Sequence, residues 1–217
     1  APQPSRSPDP TTRSLSALLL LARVPRHPVQ LAHHTVVFGN HYPDEHRDLF
    51  VRRTMPSDPT VYVCAPDRTG SASVEGDERL MMLVNAPAAI AVDGAEQERC
   101  RSLIYATLNR AGLHLPTPTD EMLVRPQDFA SRFPGSLGAL YGPAVRSIWA
   151  PLRRPAAPHP QVSGIYRVGG AVHPGAGLPM VALSAKIAVA RMLAERRRGP
   201  STSRLPLADT SGGISMR

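Results

Sequence analysis

A chain of 217 residues that is 42% hydrophobic can enclose one sizeable core, or one domain and part of another. Its 25 basic against 17 acidic residues leave a net charge of +8, but the arginines are scattered and no basic run is interleaved with aromatics, which argues against a nucleic-acid platform. Two cysteines, Cys64 and Cys100, form neither a disulfide framework nor a metal-ligand spacing, and no apolar run reaches the roughly 18 residues of a membrane-spanning helix.

In chain order, residues 1–13 are rich in proline, serine and arginine and are expected to be a disordered junction. The sequence opens on Ala1 rather than Met, so an upstream piece is expected to be missing. Within 14–24, the leucine run from Ser16 to Ala22 imitates a secretory signal after Arg13, but Arg23 follows at once and no small-x-small cleavage site is clear. It is expected to be a buried core strand or short helix. Residues 31–38 read as a strand ending in Thr35, Val36, Val37 and Phe38, and 42–50 as a short acidic turn and helix. His33, His34, His41 and His46 invite a metal reading, but consecutive histidines on a strand point to opposite faces, so at most one of the first pair could serve and no metal is expected.

Residues 58–66, Asp-Pro-Thr-Val-Tyr-Val-Cys-Ala-Pro, form a strand entered through a proline turn, and 80–87 form a second, continuously apolar one. One face of that sheet could line an apolar tunnel. A helix is expected over 96–112, with Cys100, Leu103, Ile104, Thr107 and Leu108 on its apolar stripe and Gly112 at its C-terminal end. A short strand over 119–125 follows, then Asp-Phe-Ala-Ser-Arg-Phe-Pro from Asp128 and Gly-Ala-Leu-Tyr-Gly ending at Gly142. Residues 151–160 form a linker rich in proline and arginine, and 199–217 a disordered tail.

The most informative stretch is 164–191. Ile165, Tyr166 and Val168 suggest a strand that ends at Gly169-Gly170. A loop holding Gly175, Gly177 and Pro179 leads into a helix that is apolar on nearly every side apart from Ser184, Lys186 and Arg191, the pattern of a buried helix. Strand, glycine loop and helix N-terminus together can hold an electron-rich cofactor on backbone N–H groups and the positive end of a helix dipole.

Gly-Ile-Tyr-Arg-Val-Gly-Gly-Ala-Val-His-Pro-Gly-Ala-Gly-Leu-Pro-Met-Val-Ala-Leu-Ser, starting at Gly164, resembles the C-terminal flavin-contacting segment of the phytoene-desaturase family of FAD-dependent carotenoid oxidoreductases. It is most similar to the branch acting on hydroxylated carotenoids, the hydroxyneurosporene or methoxyneurosporene type. The His33-His34 strand, the Asp-Pro-Thr-Val-Tyr-Val-Cys stretch and the Asp-Phe-x-x-x-Phe-Pro segment resemble the same family, so the resemblance covers about residues 14–195.

The resemblance implies an α/β fold: a mixed-sheet substrate domain over 14–150, a linker over 151–163, and over 164–198 the C-terminal strand and helix of a Rossmann-like FAD-binding domain. It implies that Gly169, Gly170, His173, Pro174, Gly175, Gly177, Leu178, Pro179 and Met180 lie against FAD. His173 is then either a flavin-proximal group that hydrogen-bonds or relays a proton, or a loop histidine tied to backbone. Tyr141 and Trp149 could flank a conjugated polyene, or be core aromatics at a domain junction. The substrate class implied is a carotenoid, and with it a cytoplasmic enzyme held peripherally at the inner membrane.

One departure is large. No Gly-x-Gly-x-x-Gly occurs in these residues, although the family holds the FAD pyrophosphate with that fingerprint. The N-terminal dinucleotide-binding portion is therefore expected to be missing, leaving this piece inactive alone. Another flavoprotein of the amine-oxidase superfamily and a non-catalytic remnant stay open as alternatives.

Overall fold

The leucine run is a strand. β1 (Ser16–Pro25) buries Leu18, Leu20, Ala22 and Val24 on one face, while Leu19, Leu21 and Arg23 alternate onto the other. The computed structural model describes residues 9–28, 31–68, 76–144 and 154–198, and the chain divides into two units after Ala150.

In the first unit, β1 joins β2 (His34–Val37), β3 (Val61–Cys64), β4 (Asp77–Ala86) and β5 (Asp120–Val124) in the order β2-β3-β4-β1-β5. Every adjacent pair is antiparallel, which corrects the mixed sheet expected from the resemblance. The reason is topological. β4 and β5 both run opposite to β1 and hence parallel to each other, but β1 lies between them.

The connection between β4 and β5 carries α2 (Gly94–Arg110). Asp93 caps its N-terminus by accepting a 2.8 Å hydrogen bond from the Glu96 N–H. At its other end the Leu113 N–H returns to the Leu108 carbonyl across Gly112. Cys100, Ile104 and Leu108 recur at helical spacing and pack with Leu18, Leu20, Val61, Val63, Met82 and Val84 into one buried cluster. Burial raises the Cys100 thiol pKa to about 11, so this cysteine is a small core hydrophobe.

The chain between β2 and β3 forms α1 (Tyr42–Arg47) and a π-helical turn, Asp48–Arg52, closed by Arg53 in the left-handed region. Burial by itself would push the Asp48 carboxyl up. Hydrogen bonds from the Ser57 N–H, the Arg52 guanidinium and the Ser57 hydroxyl outweigh it and leave the pKa below the ordinary value. After β5, α3 (Pro126–Arg132) starts on a reciprocal cap in which the Arg125 N–H donates 2.8 Å to Asp128.

The second unit consists of a turn-rich segment followed by α4 (Leu178–Arg198). The strand expected at 165–168 is not formed; Tyr166 makes a single antiparallel bridge to Pro158. The expected burial of α4 is also corrected. Only Ser184 and Ala188 are buried, whereas Leu178 is 88% exposed and Leu183, Val189 and Leu193 are 42–52% exposed. A helix apolar all round requires cover on every side, and the described residues cover one.

Candidate functional site

Two apolar openings lie in the first unit. The first, about 320 Å³, is lined by Leu15, Leu49, Phe50, Arg53, Asn85 and Tyr141 among others. Tyr141 is placed there by backbone: the Ser14 N–H donates to the Gly142 carbonyl at 2.8 Å, the Leu140 N–H to Leu15 at 3.1 Å, and the Tyr141 N–H to Ser14 Oγ at 3.0 Å. Gly138 lets this return segment close in, because a Cβ there would stand 2.5 Å from the Pro126 carbonyl oxygen and φ is +78°. Tyr141 is 56% exposed and reaches solvent at the rim. The sequence reading did not single out Phe50 or Arg53; they sit on the π-helical turn, which no periodicity announces.

The second opening, about 390 Å³, holds Leu21, Arg23, Arg79, Met81, Asp120 and Met122. Strand alternation puts its β1 and β4 members, Leu21, Arg23, Arg79 and Met81, on the same sheet face as Leu15 and Asn85 of the first. Between the two openings that face carries Ala17, Leu19 and Leu83, in register with one another and with Asn85. The face opposite α2 is thus apolar through its middle, with Asn85 toward one opening and Arg23 and Arg79 toward the other.

In the second unit the glycine loop is built around Arg154, whose Nη1 donates 2.6 Å to the Gly170 carbonyl and whose guanidinium lies 3.4 Å from where a Cβ on buried Gly175 would stand. The Gly169 N–H donates 2.8 Å to Ser184 Oγ, which ties the loop to α4. Gly169, Gly175 and Gly177 all have positive φ. Leu178, Pro179 and Met180, the first turn of α4, are exposed, as is His173; Pro174 is half-buried, and the His173 N–H donates to the Pro155 carbonyl at 2.9 Å. Tyr166 donates its hydroxyl to Glu195, which raises the phenol's pKa. The structure therefore gathers Gly169 through Met180 into one loop and helix start. The sequence reading missed Arg154 and Glu195; Ser184, a buried hydroxyl interrupting an apolar helix, was the available signal. Trp149 lies outside the described residues.

A third cluster sits at the edge of the sheet. His34 is directly opposite Cys64 across β2 and β3. His33, at a bend before β2, places Nε2 3.8 Å from Cys64 Sγ, and the two imidazole rings meet edge to face at 4.2 Å. This corrects the premise that consecutive histidines must diverge: strand alternation governs His34 but not His33. His41 and His46 are elsewhere, His41 hydrogen-bonded to Asp44 at 2.9 Å and His46 against Phe50.

No family model matches the chain. The chain is 38% identical over 213 residues to a hydroxyneurosporene desaturase of Rubrivivax gelatinosus, covering 96% of this chain and 40% of that protein. A hydroxyneurosporene desaturase of Rhodobacter capsulatus is 38% identical over 77% of this chain and 34% of its own length. A zeta-carotene-forming phytoene desaturase of Myxococcus xanthus is 31% identical over 81% of this chain. By sequence the chain is similar to part of the carotenoid desaturases, more so to the hydroxyneurosporene desaturases than to the phytoene desaturase among these. It spans about two fifths of the length of the curated relatives it matches.

Proposed function

We propose that this chain supplies the polyene-handling sheet and the C-terminal cofactor-contacting segment of an FAD-dependent carotenoid desaturase. The observation that carries the reading is the sheet face opposite α2, apolar through Leu19, Leu21, Met81 and Leu83, with an opening at each end. From Leu15 to Arg23 it runs roughly 26 Å at the rise of a β-strand, a track for a rod-like apolar molecule. Tyr141 and Phe50 flank one mouth, and Met81 and Met122 give the other an adaptable lining.

The glycine loop fits a flat, electron-rich cofactor. Gly169 and Gly177 face open space where a Cβ would stand. The exposed first turn of α4 offers the N–H groups of Leu178 and Met180 and the positive end of a 21-residue helix. Arg154 holds Gly170 in place beforehand, and exposed His173 is available to hydrogen-bond. A bound flavin would supply hydride acceptance, leaving the protein to bind, orient and exclude water. Among the described residues no helix is long and apolar enough to cross a membrane. Access to a lipid-dissolved polyene is proposed from the membrane surface, supported by the basic excess and by exposed Phe38, Phe50 and Phe133.

The test is expression of this chain joined behind the dinucleotide-binding N-terminal portion of a hydroxyneurosporene desaturase, in a bacterium that accumulates hydroxylated carotenoids. Extracted pigment shifts to longer wavelength as conjugation lengthens, and Leu21→Lys, at a half-buried position on the track, abolishes the shift. An unchanged spectrum with expressed protein sinks the proposal.

A further inference from the structure

We propose that His33, His34 and Cys64 form a binding site for a zinc-class divalent cation. Their ligand atoms lie within 4.8 Å of one another. Donors and geometry agree with the assignment. Imidazole nitrogen and thiolate sulfur are the ligands such ions select, and tetrahedral bonds of about 2.0–2.3 Å set adjacent ligand atoms roughly 3.4–3.6 Å apart. The His33 Nε2 to Cys64 Sγ separation of 3.8 Å is within a few tenths of an ångström of that value, so the widest pair closes by about 1 Å on binding.

The backbone holds the three in place. His34 and Cys64 are a cross-strand pair, and the Ala65 N–H donates 2.9 Å to the His33 carbonyl, which fixes the bend against β3. Tyr62 supports the His34 ring through a 2.7 Å hydrogen bond between its hydroxyl and Nδ1, with the two rings stacked at 5.8 Å. An outer partner of this kind orients a ligating histidine. His34 is exposed, giving the ion a way in, while His33 and Cys64 are half-buried. Three protein ligands leave a fourth position for water. The site clips the edge strand β2 and the turn before it to β3. It does not rest on the desaturase reading, and adds a function to Cys64 that packing does not require.

Cobalt(II) titrated into the reduced, tag-free 217-residue chain is expected to give a near-ultraviolet thiolate-to-cobalt band and intense four-coordinate visible bands. Both saturate at one equivalent and are displaced by zinc. Cys64→Ser removes the charge-transfer band. His33→Asn and His34→Asn each weaken apparent affinity at least tenfold, and Tyr62→Phe weakens it about tenfold while leaving the bands in position. Zinc also raises the thermal midpoint of the parent chain, because it binds the native state alone, and does not raise that of Cys64→Ser or Cys64→Ala. The thermal readout on the parent chain decides the matter even where a variant folds poorly. A charge-transfer band that survives Cys64→Ser, no band in excess cobalt, or a midpoint indifferent to zinc overturns the site and leaves a thiol–imidazole hydrogen bond only.

Discussion

The sheet unit and the C-terminal unit handle apolar residues in opposite ways. In the first, α2 closes over one sheet face, so Leu18, Leu20, Met82, Ile104 and Leu108 are at most 2% exposed. In the second, a 21-residue helix more apolar than α2 buries Ser184 and Ala188 and leaves Leu183, Val189 and Leu193 about half exposed. The difference teaches that the sheet unit carries its own core. The C-terminal unit is organised by polar ties, Arg154 to Gly170 and Gly169 to Ser184, around a helix whose apolar sides have no cover among the described residues.

The largest effect that sharpens this contrast comes from truncating both. Ile104→Ala should cost about 3 kcal/mol by loss of burial and the cavity left behind, whereas Val189→Ala should stay within about 0.5 kcal/mol. Urea unfolding measures both, and equal losses would mean that α4 is covered in solution. Next, Gly138→Ala should cost about 2 kcal/mol or more, since its Cβ meets the Pro126 carbonyl oxygen at 2.5 Å in addition to the strain of positive φ. Gly177→Ala, at φ +104° in open space, carries strain alone and should cost about 1 kcal/mol. Comparable values would erase the distinction between a packed return segment and an open loop.

An acid-range pH dependence is expected in the sheet unit. Hydrogen bonds from the Arg79 side chain and its N–H lower the Asp67 carboxyl from 3.8 to about 2. A group whose folded pKa is depressed contributes stability above its unfolded pKa and loses it as pH falls through the folded value. Part of the stability should therefore disappear between pH 4 and 2. Arg79→Ala should shrink that loss and lower stability at neutral pH instead, as urea unfolding at pH 7 and pH 2 would show. The effect shrinks with salt, because Arg79 is 70% exposed. The smallest expected signal is flavin itself: FAD mixed with the chain and gel-filtered should leave the protein colourless, for want of a pyrophosphate fingerprint. A co-eluting flavin band would show that the glycine loop suffices, and would place cofactor affinity in the unit with the sparser core.

Much of this was legible in order. β1, β3, β4, α2 and the start of α4 are near where the residue patterns put them, because runs such as Val61–Cys64 and the Cys100, Ile104, Leu108 stripe express their period locally. The carotenoid-desaturase kinship was legible too, carried by the stretch from Gly164 and by Asp-Pro-Thr-Val-Tyr-Val-Cys. Tyr141 lies at the rim of an apolar opening, in a register that depends on Ser14 and Leu15, more than 120 residues earlier.

The amino-acid sequence by itself determined most element types, the apolar stripes and the glycine loop, since each depends on neighbours a few residues apart, and it carried the carotenoid-desaturase resemblance. Tertiary structure alone decided what depends on distant partners. β1 came to lie between two parallel strands and made the sheet wholly antiparallel. The strand expected at 165–168 made only the Tyr166–Pro158 bridge among the described residues, because a strand needs a partner's hydrogen bonds and propensity cannot supply them. His33 left the strand's alternation at a bend and joined His34 and Cys64, a meeting fixed by the β2–β3 register across 30 residues of intervening chain.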